Sequence, residues 1–572
     1  MNYFNLISTF VKQYPLRVLL TFAISLMAQV FAVFLPIYIA RSYDLLFGIQ
    51  SQRARFLTFI PEDWLATFKG YFTLFLVVVL FRGLLDFAER YGIAVLGELH
   101  LSFLRKKLFA HQLQVDMSVY EDKGTGKYLL RYSGDLTSIQ AFINKGMIRF
   151  VSDFILLLLS FFIFFSLGAP IGWTVLGMVV VLSLVTYLLN RKLYTASVKR
   201  RNAKSGLLKF VASRLKALWT IKSFNRFVPE MGRYEKRVDK LLNLGKGYQR
   251  LVGVIGAIIP VGLYLLIGMV MWVTNYLKET SPEAVDPKSF FIALLLLITL
   301  IPVFRRSFRV SIVWRNGSIS YQKLADILSL PLENGSVQKT PLQWEQGHLL
   351  VKGLSFGYPG QAKKIFKDFN MEVLPNTTTW VHGPAGVGKT TLLKLLSGGY
   401  SITSGEILVD NQNIRSIKAK ALRRKITIID NSCRLLGKTV FEAVSYSRKS
   451  SQRAKVQRVL DDLGLSENLP LDFCIGEDGC RLSQGQYRLL LYARAFLTQK
   501  PILLIDEPFV HLDGIMKQTV LSYLSQLQCN RTLLLFTSSS IPNAFNIDQK
   551  VALSVSDYKE VNGEAMNLFS SS

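Results

Sequence analysis

The chain has 572 residues, half of them hydrophobic, and 68 Lys and Arg against 39 Asp and Glu give a formal charge of +29. That length is more than one core usually holds, so at least two domains are expected. A mean hydropathy of +0.29 argues against a wholly soluble enzyme and for membrane spans. So basic a chain could bind nucleic acid. Its cations, however, crowd into segments between apolar runs, as in cytosolic loops facing anionic lipid, and no nucleic-acid partner is expected.

The N-terminal Met1-Asn2-Tyr3-Phe4-Asn5 lacks a basic n-region, and no cleavage site lies near the first apolar stretch, so no removable signal peptide is expected. Six apolar runs then approach or exceed the roughly 20 residues a membrane helix requires: 16–40, 71–96, 150–167, 171–189, 251–273 and 290–304. Stretches such as Phe154-Ile155-Leu156-Leu157-Leu158-Leu159 have no polar face, which argues against soluble helices. The segment between the second and third runs carries Arg105, Lys106, Lys107, Lys123, Lys127 and Arg131, and that between the fourth and fifth is richer still, from Arg191 to Arg250. The opposite connections are short (Gly168-Ala169-Pro170) or balanced in sign (Lys278 and Glu279 with Glu283 and Asp286). This bias places both termini and both basic segments in the cytosol. The basic segments read as helical extensions beyond the bilayer, turning back at 120–126 and around 212–220. Ionisable residues within spans are functional candidates: Arg82, Asp86, Glu89 and Arg90 in the second, with Arg305, Arg306 and Arg309 continuing the sixth. Arg82 and Asp86, four apart, can neutralise each other. The arginines of the sixth span can either snorkel to lipid phosphate or line a cavity for an anionic substrate.

After Trp314 the chain turns polar, and Pro331, Asn334-Gly335-Ser336 and Pro341 mark a linker. The expected domains are therefore 1–325 in the membrane, a linker at 326–345, and 346–572. Within the last, a strand-favouring run at 377–380 precedes Val381-His382-Gly383-Pro384-Ala385-Gly386-Val387-Gly388-Lys389-Thr390-Thr391, and a helical Leu392-Leu393-Lys394-Leu395-Leu396 follows. Strand, glycine loop and helix together form a P-loop context: glycines let backbone N–H groups approach phosphate, and the helix adds its positive end. Lys389 would reach the β- and γ-phosphates of ATP, and Thr390 would place its hydroxyl on Mg²⁺. Pro501-Ile502-Leu503-Leu504-Ile505-Asp506-Glu507 reads as a buried parallel strand with carboxylates at its C-terminal edge, Asp506 for the Mg²⁺ shell and Glu507 for the attacking water. Between them, Arg481-Leu482-Ser483-Gln484-Gly485-Gln486 ahead of a helical 487–496 offers a second helix start suited to phosphate, which suggests a site closed by another copy.

This combination resembles the ABC transporter family, specifically an exporter-type half-transporter, over essentially the whole chain. The resemblance implies an all-α six-helix membrane domain fused to an α/β P-loop nucleotide-binding domain. It also implies a dimer in which each ATP lies between one P-loop and the opposite signature. Ser483, Gln484, Gly485 and Gln486 match that signature, with Gln484 replacing the usual glycine. Tyr358 in Phe356-Gly357-Tyr358-Pro359 matches the aromatic that stacks on adenine, and Asp513 matches the D-loop. The stretches 120–126 and Thr220-Ile221-Lys222-Ser223-Phe224 match loops that carry coupling helices.

Two positions depart from the pattern. Asn431 stands where the Q-loop glutamine would contact Mg²⁺ or the attacking water, and its amide is one methylene shorter. Ser538 stands where the switch histidine is expected, and none of the five histidines fills that place. Serine can hydrogen-bond a γ-phosphate but cannot readily exchange a proton near neutral pH. The implied function is ATP-driven export of an amphipathic substrate (lipid, peptide or drug-like) at a bacterial inner membrane, with the nucleotide domain in the cytosol. The rival is a weakly catalytic, regulatory ATP-binding half of a heterodimer. Expected partners are a second half-transporter, a heterodimer being preferred to a homodimer, membrane lipid and, in some assemblies, a periplasmic adaptor. Cys433, Cys474, Cys480 and Cys529 all follow the P-loop and form no Cys-x-x-Cys pair, so they are expected to be reduced and structural.

Overall fold

A computed structural model describes residues 3–47, 68–117, 128, 131–280, 287–333, 340–358, 364–446, 452–476, 479–528, 530–542 and 545–554. The turn-back expected at 120–126 and Cys529 lie outside these residues. The chain divides into two compact units, Met1–Phe109 with Tyr128–Ser329, and Ala110–Lys127 with Leu330–Ser572.

The first unit is helical. A short α1 (Tyr3–Gln13) leads into α2 (Pro15–Phe47) and α3 (Phe68–Gln112). Two π-helical turns, Arg131–Asp135 and Phe142–Ile148, flank α4 (Leu136–Ala141), and α5 (Arg149–Leu167) follows. Then come α6 (Ala169–Lys216), α7 (Leu218–Ser223), α8 (Phe227–Thr280) and α9 (Pro287–Leu328). Among the described residues, six helices are long and apolar enough to cross a membrane. At a rise of about 1.5 Å per residue, the 48 residues of α6 and 54 of α8 far exceed a hydrocarbon core of about 30 Å. The excess is the basic extension read from the sequence. α6 and α8 pack through Leu182, Leu193, Ile255, Ile259 and Leu263. A Cβ on Gly262 would come within 2.2 Å of Leu182, so the glycine is what lets these two helices approach.

Inside this apolar bundle sits a polar network from four helices. Arg149 reaches Glu89 at 2.6 Å and Asp153 at 3.6 Å, and Arg306 meets Asp153 at 2.7 Å. Ser25 donates to Glu89 at 2.7 Å, and Gln29 donates to the same oxygen at 3.2 Å. Glu89 and Asp153 are 1% and 2% exposed, so each carboxylate depends on its arginine for compensation. The expected Arg82–Asp86 pair is present at 3.7 Å with side chains 24% and 36% exposed, a weaker contact.

In the second unit, an antiparallel sheet has the order β2 (Phe366–Val373), β1 (Leu349–Phe356), β4 (Ser404–Val409), β5 (Gln412–Asn413). A parallel sheet has the order β6 (Ile426–Ile429), β7 (Ile502–Asp506), β8 (Thr532–Thr537), β3 (Thr378–His382), β9 (Gln549–Ala552). β7 is buried at every position between β6 and β8, which is why it reads as an unbroken apolar run rather than an alternating one. The helices are α10 (Lys389–Leu396), α11 (Ala419–Arg423), α12 (Val440–Ser445), α13 (Arg453–Asp462), α14 (Gln484–Thr498) and α15 (Gly514–Leu527). The sequence reading places the domain boundary at 325; of the earlier residues, the described stretch 110–117 has contacts within this unit. Val115 bridges to Leu332, and the Asp116 N–H donates to Pro331 O at 3.1 Å.

Asp153→Ala should leave Arg306 without a carboxylate and Arg149 with Glu89 alone, and cost about 3 kcal/mol, read as lost resistance to unfolding in detergent. The double replacement of Asp153 and Arg306 by methionine should recover most of that loss.

Candidate nucleotide site

β3 ends at His382 and α10 begins at Lys389, so residues 383–388 form a loop at the C-terminal edge of the parallel sheet. Gly386 and Gly388 have φ of +82° and +104°, conformations that L side chains rarely adopt. A Cβ on Gly388 would also lie 2.6 Å from Ile365. The Lys389 ammonium folds over the loop and donates to Gly383 O (2.8 Å) and Pro384 O (3.0 Å). Beside the loop, the Tyr358 ring stands edge-on to Phe356 and Tyr400, and its hydroxyl is 3.1 Å from Thr391 Oγ1.

β7 brings two carboxylates to this loop. The Thr390 hydroxyl donates to Asp506 Oδ2 at 2.5 Å, while the buried Asp506 Oδ1 accepts no hydrogen bond. Burial raises the Asp506 pKa, opposed by the Thr390 bond. A buried carboxylate oxygen without a partner beside a threonine hydroxyl suits a hard divalent cation, so Thr390 and Asp506 are the residues that would hold Mg²⁺. Glu507 follows at φ +47°, a strained position for a non-glycine residue. Its carboxylate accepts from Ser538 Oγ (2.9 Å), Ser538 N (3.0 Å) and Thr537 Oγ1 (3.1 Å), with Lys389 Nζ at 4.0 Å. Lys389, Thr390, Asp506, Glu507 and Ser538 thus converge.

Six expected site residues, Asn431, Ser483, Gln484, Gly485, Gln486 and Asp513, make other contacts. The Asn431 amide oxygen accepts from Arg488 at 3.4 Å, and it makes no hydrogen bond with Thr390, Asp506 or Glu507 among the described residues. Ser483 is exposed at the start of α14, where its hydroxyl accepts from Gln486 N (3.1 Å) while the Gln486 side chain accepts from Ser483 N (2.9 Å). This is a reciprocal cap, and it leaves the serine proton free to donate. Gln484 occupies the first, exposed turn, where a side chain is tolerated, and a Cβ on Gly485 would press on Met516 and His511 O. Asp513 caps α15 by accepting from Met516 N at 2.8 Å. Leu482 packs against one core cluster of this unit and Val387 belongs to the other. Sequence reasoning missed Thr537, Arg488 and Tyr492. The only hint was a charged residue inside the otherwise apolar run 488–491.

The first unit has its own cavity of about 610 Å³, lined by Arg90, Lys145, Arg149, Asp153, Arg305 and Arg306 among others. Arg149 and Arg306 are committed to carboxylates, whereas Arg90, Lys145 and Arg305 make no ion pair among the described residues. The side chain of Arg309 lies outside the described residues.

Lys389→Ala should weaken ATP binding at least about tenfold, measured by titration with a fluorescent ATP analogue. Burial, assisted by Asp430, pushes the Cys433 thiol up to about 11, so its thiolate is scarce at pH 8 and grows tenfold per pH unit until that value. Maleimide should therefore modify Cys433 about a hundredfold more slowly than the exposed Cys474 and Cys480, as peptide mapping would show.

A family model described as ABC transporter transmembrane region matches residues 18–302, and one described as ABC transporter matches residues 366–510. The ATP-dependent lipid A-core flippases of Pectobacterium atrosepticum and Escherichia coli K12 are each 22% identical over 464 residues, covering 80% of this chain and 79% of theirs. The solved structure of a bacterial Atm1-family ABC exporter with ATP bound superposes with a TM-score of 0.77 at 20% identity, covering 92% of this chain and 91% of that one, a likeness of fold. A membrane region and an ATP-binding domain are thus fused in one multi-pass membrane chain, and the protein belongs to the ABC transporter family as an exporter-type half-transporter.

Proposed function

We propose that the chain is one half of a dimeric pump that uses ATP to move an anionic amphiphile, of which a phosphorylated lipid is the simplest case, out of the inner leaflet of a bacterial inner membrane. The observation that carries this reading is the cavity whose Arg90, Lys145 and Arg305 make no ion pair among the described residues, in the same chain as an assembled P-loop and carboxylate pair. The flippase relatives, whose printed substrate is lipid A-core, support a lipid cargo.

In this mechanism Lys389 and the loop amides bind the phosphates of ATP, and Tyr358 faces the base. Mg²⁺, held by Thr390 and Asp506, would neutralise charge on the β- and γ-phosphates. Glu507 orients and deprotonates the attacking water. Ser538 keeps the Glu507 carboxylate fixed through its amide and hydroxyl, so we infer that hydrolysis persists without a histidine there, at a reduced rate. A second chain contributes a signature over this P-loop, and closure and release of the two nucleotide domains shift the spans between inward- and outward-facing states. Loss of the histidine favours a heterodimer whose other half has it. The alternative, a regulatory half with little turnover, is favoured by one observation: Asn431 is engaged by Arg488.

In proteoliposomes, Glu507→Gln should keep ATP binding and lower turnover at least about a hundredfold. Arg305→Glu should slow flipping of a fluorescent anionic phospholipid while leaving basal ATP hydrolysis intact. Wild-type binding without turnover, alone and with a genomically neighbouring half-transporter, would establish the regulatory alternative. Equal flipping of anionic and zwitterionic probes would refute the cargo class.

A further inference from the structure

The turn that carries the two carboxylates is gripped from behind by a helix the reaction scheme does not use. Arg488 on α14 is 3% exposed, and its guanidinium donates to the carbonyls of Asp506 (2.5 Å) and Glu507 (3.0 Å). One turn later Tyr492, fully buried, donates its hydroxyl to the carbonyl of Pro508 at 2.7 Å. Burial pushes that phenol up to about 12, so it remains a donor across the working range. The guanidinium also lies 5.8 Å from the Tyr492 ring centre, so the two side chains brace each other.

Three successive carbonyls are therefore held by two residues spaced i, i+4 on one helix face. The peptide they hold is the strained one, with Glu507 at φ +47°, and the opposite side of that residue is pinned by its N–H donating to Phe536 O at 2.7 Å. Strain of this kind persists only where the surroundings over-determine it. The same helix holds the loop after β6. Tyr487 donates to Cys433 O (3.2 Å) and accepts from Leu435 N (3.1 Å), Arg494 donates to Arg434 O (2.8 Å), and Arg488 itself reaches Asn431 (3.4 Å).

We propose that Arg488 and Tyr492 are positioning residues for hydrolysis, clamping the backbone at 506–508 so that the Glu507 carboxylate is presented at a fixed angle to the water above Lys389. This rests on Glu507 being the carboxylate that activates water. Arg488 touches carbonyl oxygens rather than a carboxylate, so its role is geometric. It should act on the transition state and not on nucleotide affinity.

The test uses the full chain in nanodiscs, with kcat and KM for ATP measured on Tyr492→Phe, Arg488→Lys and Arg488→Met. Tyr492→Phe removes one hydroxyl and should lower kcat about fivefold with KM within about twofold, the signature of an interaction made in the transition state. Arg488→Met should lose about thirtyfold or more in kcat, and Arg488→Lys, which keeps a donor for the carbonyls but lacks the second nitrogen that reaches Asn431, should fall between. Hydrogen exchange at the amides of Glu507, Phe509 and Val510 should quicken in the same order. Unchanged kcat in folded Tyr492→Phe and Arg488→Lys, or a raised KM at constant kcat, overturns the proposal. If Arg488→Met does not fold, Tyr492→Phe decides. If wild type binds ATP without turnover, the exchange decides, and a wild-type exchange rate in Tyr492→Phe overturns the clamp. Glu507→Gln separates the two readings: turnover surviving it refutes the role of Glu507 itself, whereas turnover lost there but intact in the clamp variants refutes only the clamp.

Discussion

The bond between Thr390 and Asp506 joins the two halves of the nucleotide site, and the surrounding architecture exists to make it possible. One partner opens the helix after the P-loop, and the other ends a strand buried on both faces. A carboxylate can sit there only because a hydroxyl satisfies one oxygen and a cation can satisfy the other. The parallel sheet fixes the distance, since β7 and β3 flank β8 in register.

Charge is handled differently in the membrane unit. Some cations are structural: Arg149 and Arg306 exist to neutralise Glu89 and Asp153, and those carboxylates in turn tie helices together inside an apolar bundle. Arg90, Lys145 and Arg305 on the same cavity wall make no ion pair among the described residues. This partition, rather than the total of +29, is what bears on the cargo, because only uncommitted cations can exchange water for an anionic headgroup without stranding a buried partner.

Ser538 and Asn431 stand where the family resemblance leads one to expect a histidine and a glutamine, yet the Glu507 carboxylate is not loose. Ser538 and Thr537 hold it from the front, and α14 holds its backbone from behind. Rigidity supplied by several modest hydrogen bonds can keep a general base in place where a titratable neighbour is missing. Asn431 is held by the same helix, its amide oxygen accepting from Arg488.

What the chain's order of residues determined by itself was everything governed by local pattern. The six spans follow from runs of apolar length, the P-loop from glycine spacing, and β7 from four apolar residues ending in two acids. Each rests on periodicity or backbone freedom that neighbours in sequence control. Only the tertiary structure decided which side chains meet. Nothing in the spacing said that Arg488 would reach behind Glu507, that Asn431 would turn to it, that residues 110–117 would contact the nucleotide unit, or which arginines would be spent on Glu89 and Asp153. Those outcomes depend on contacts between residues far apart in the chain, where burial forces every charge to find a partner and geometry alone selects which one.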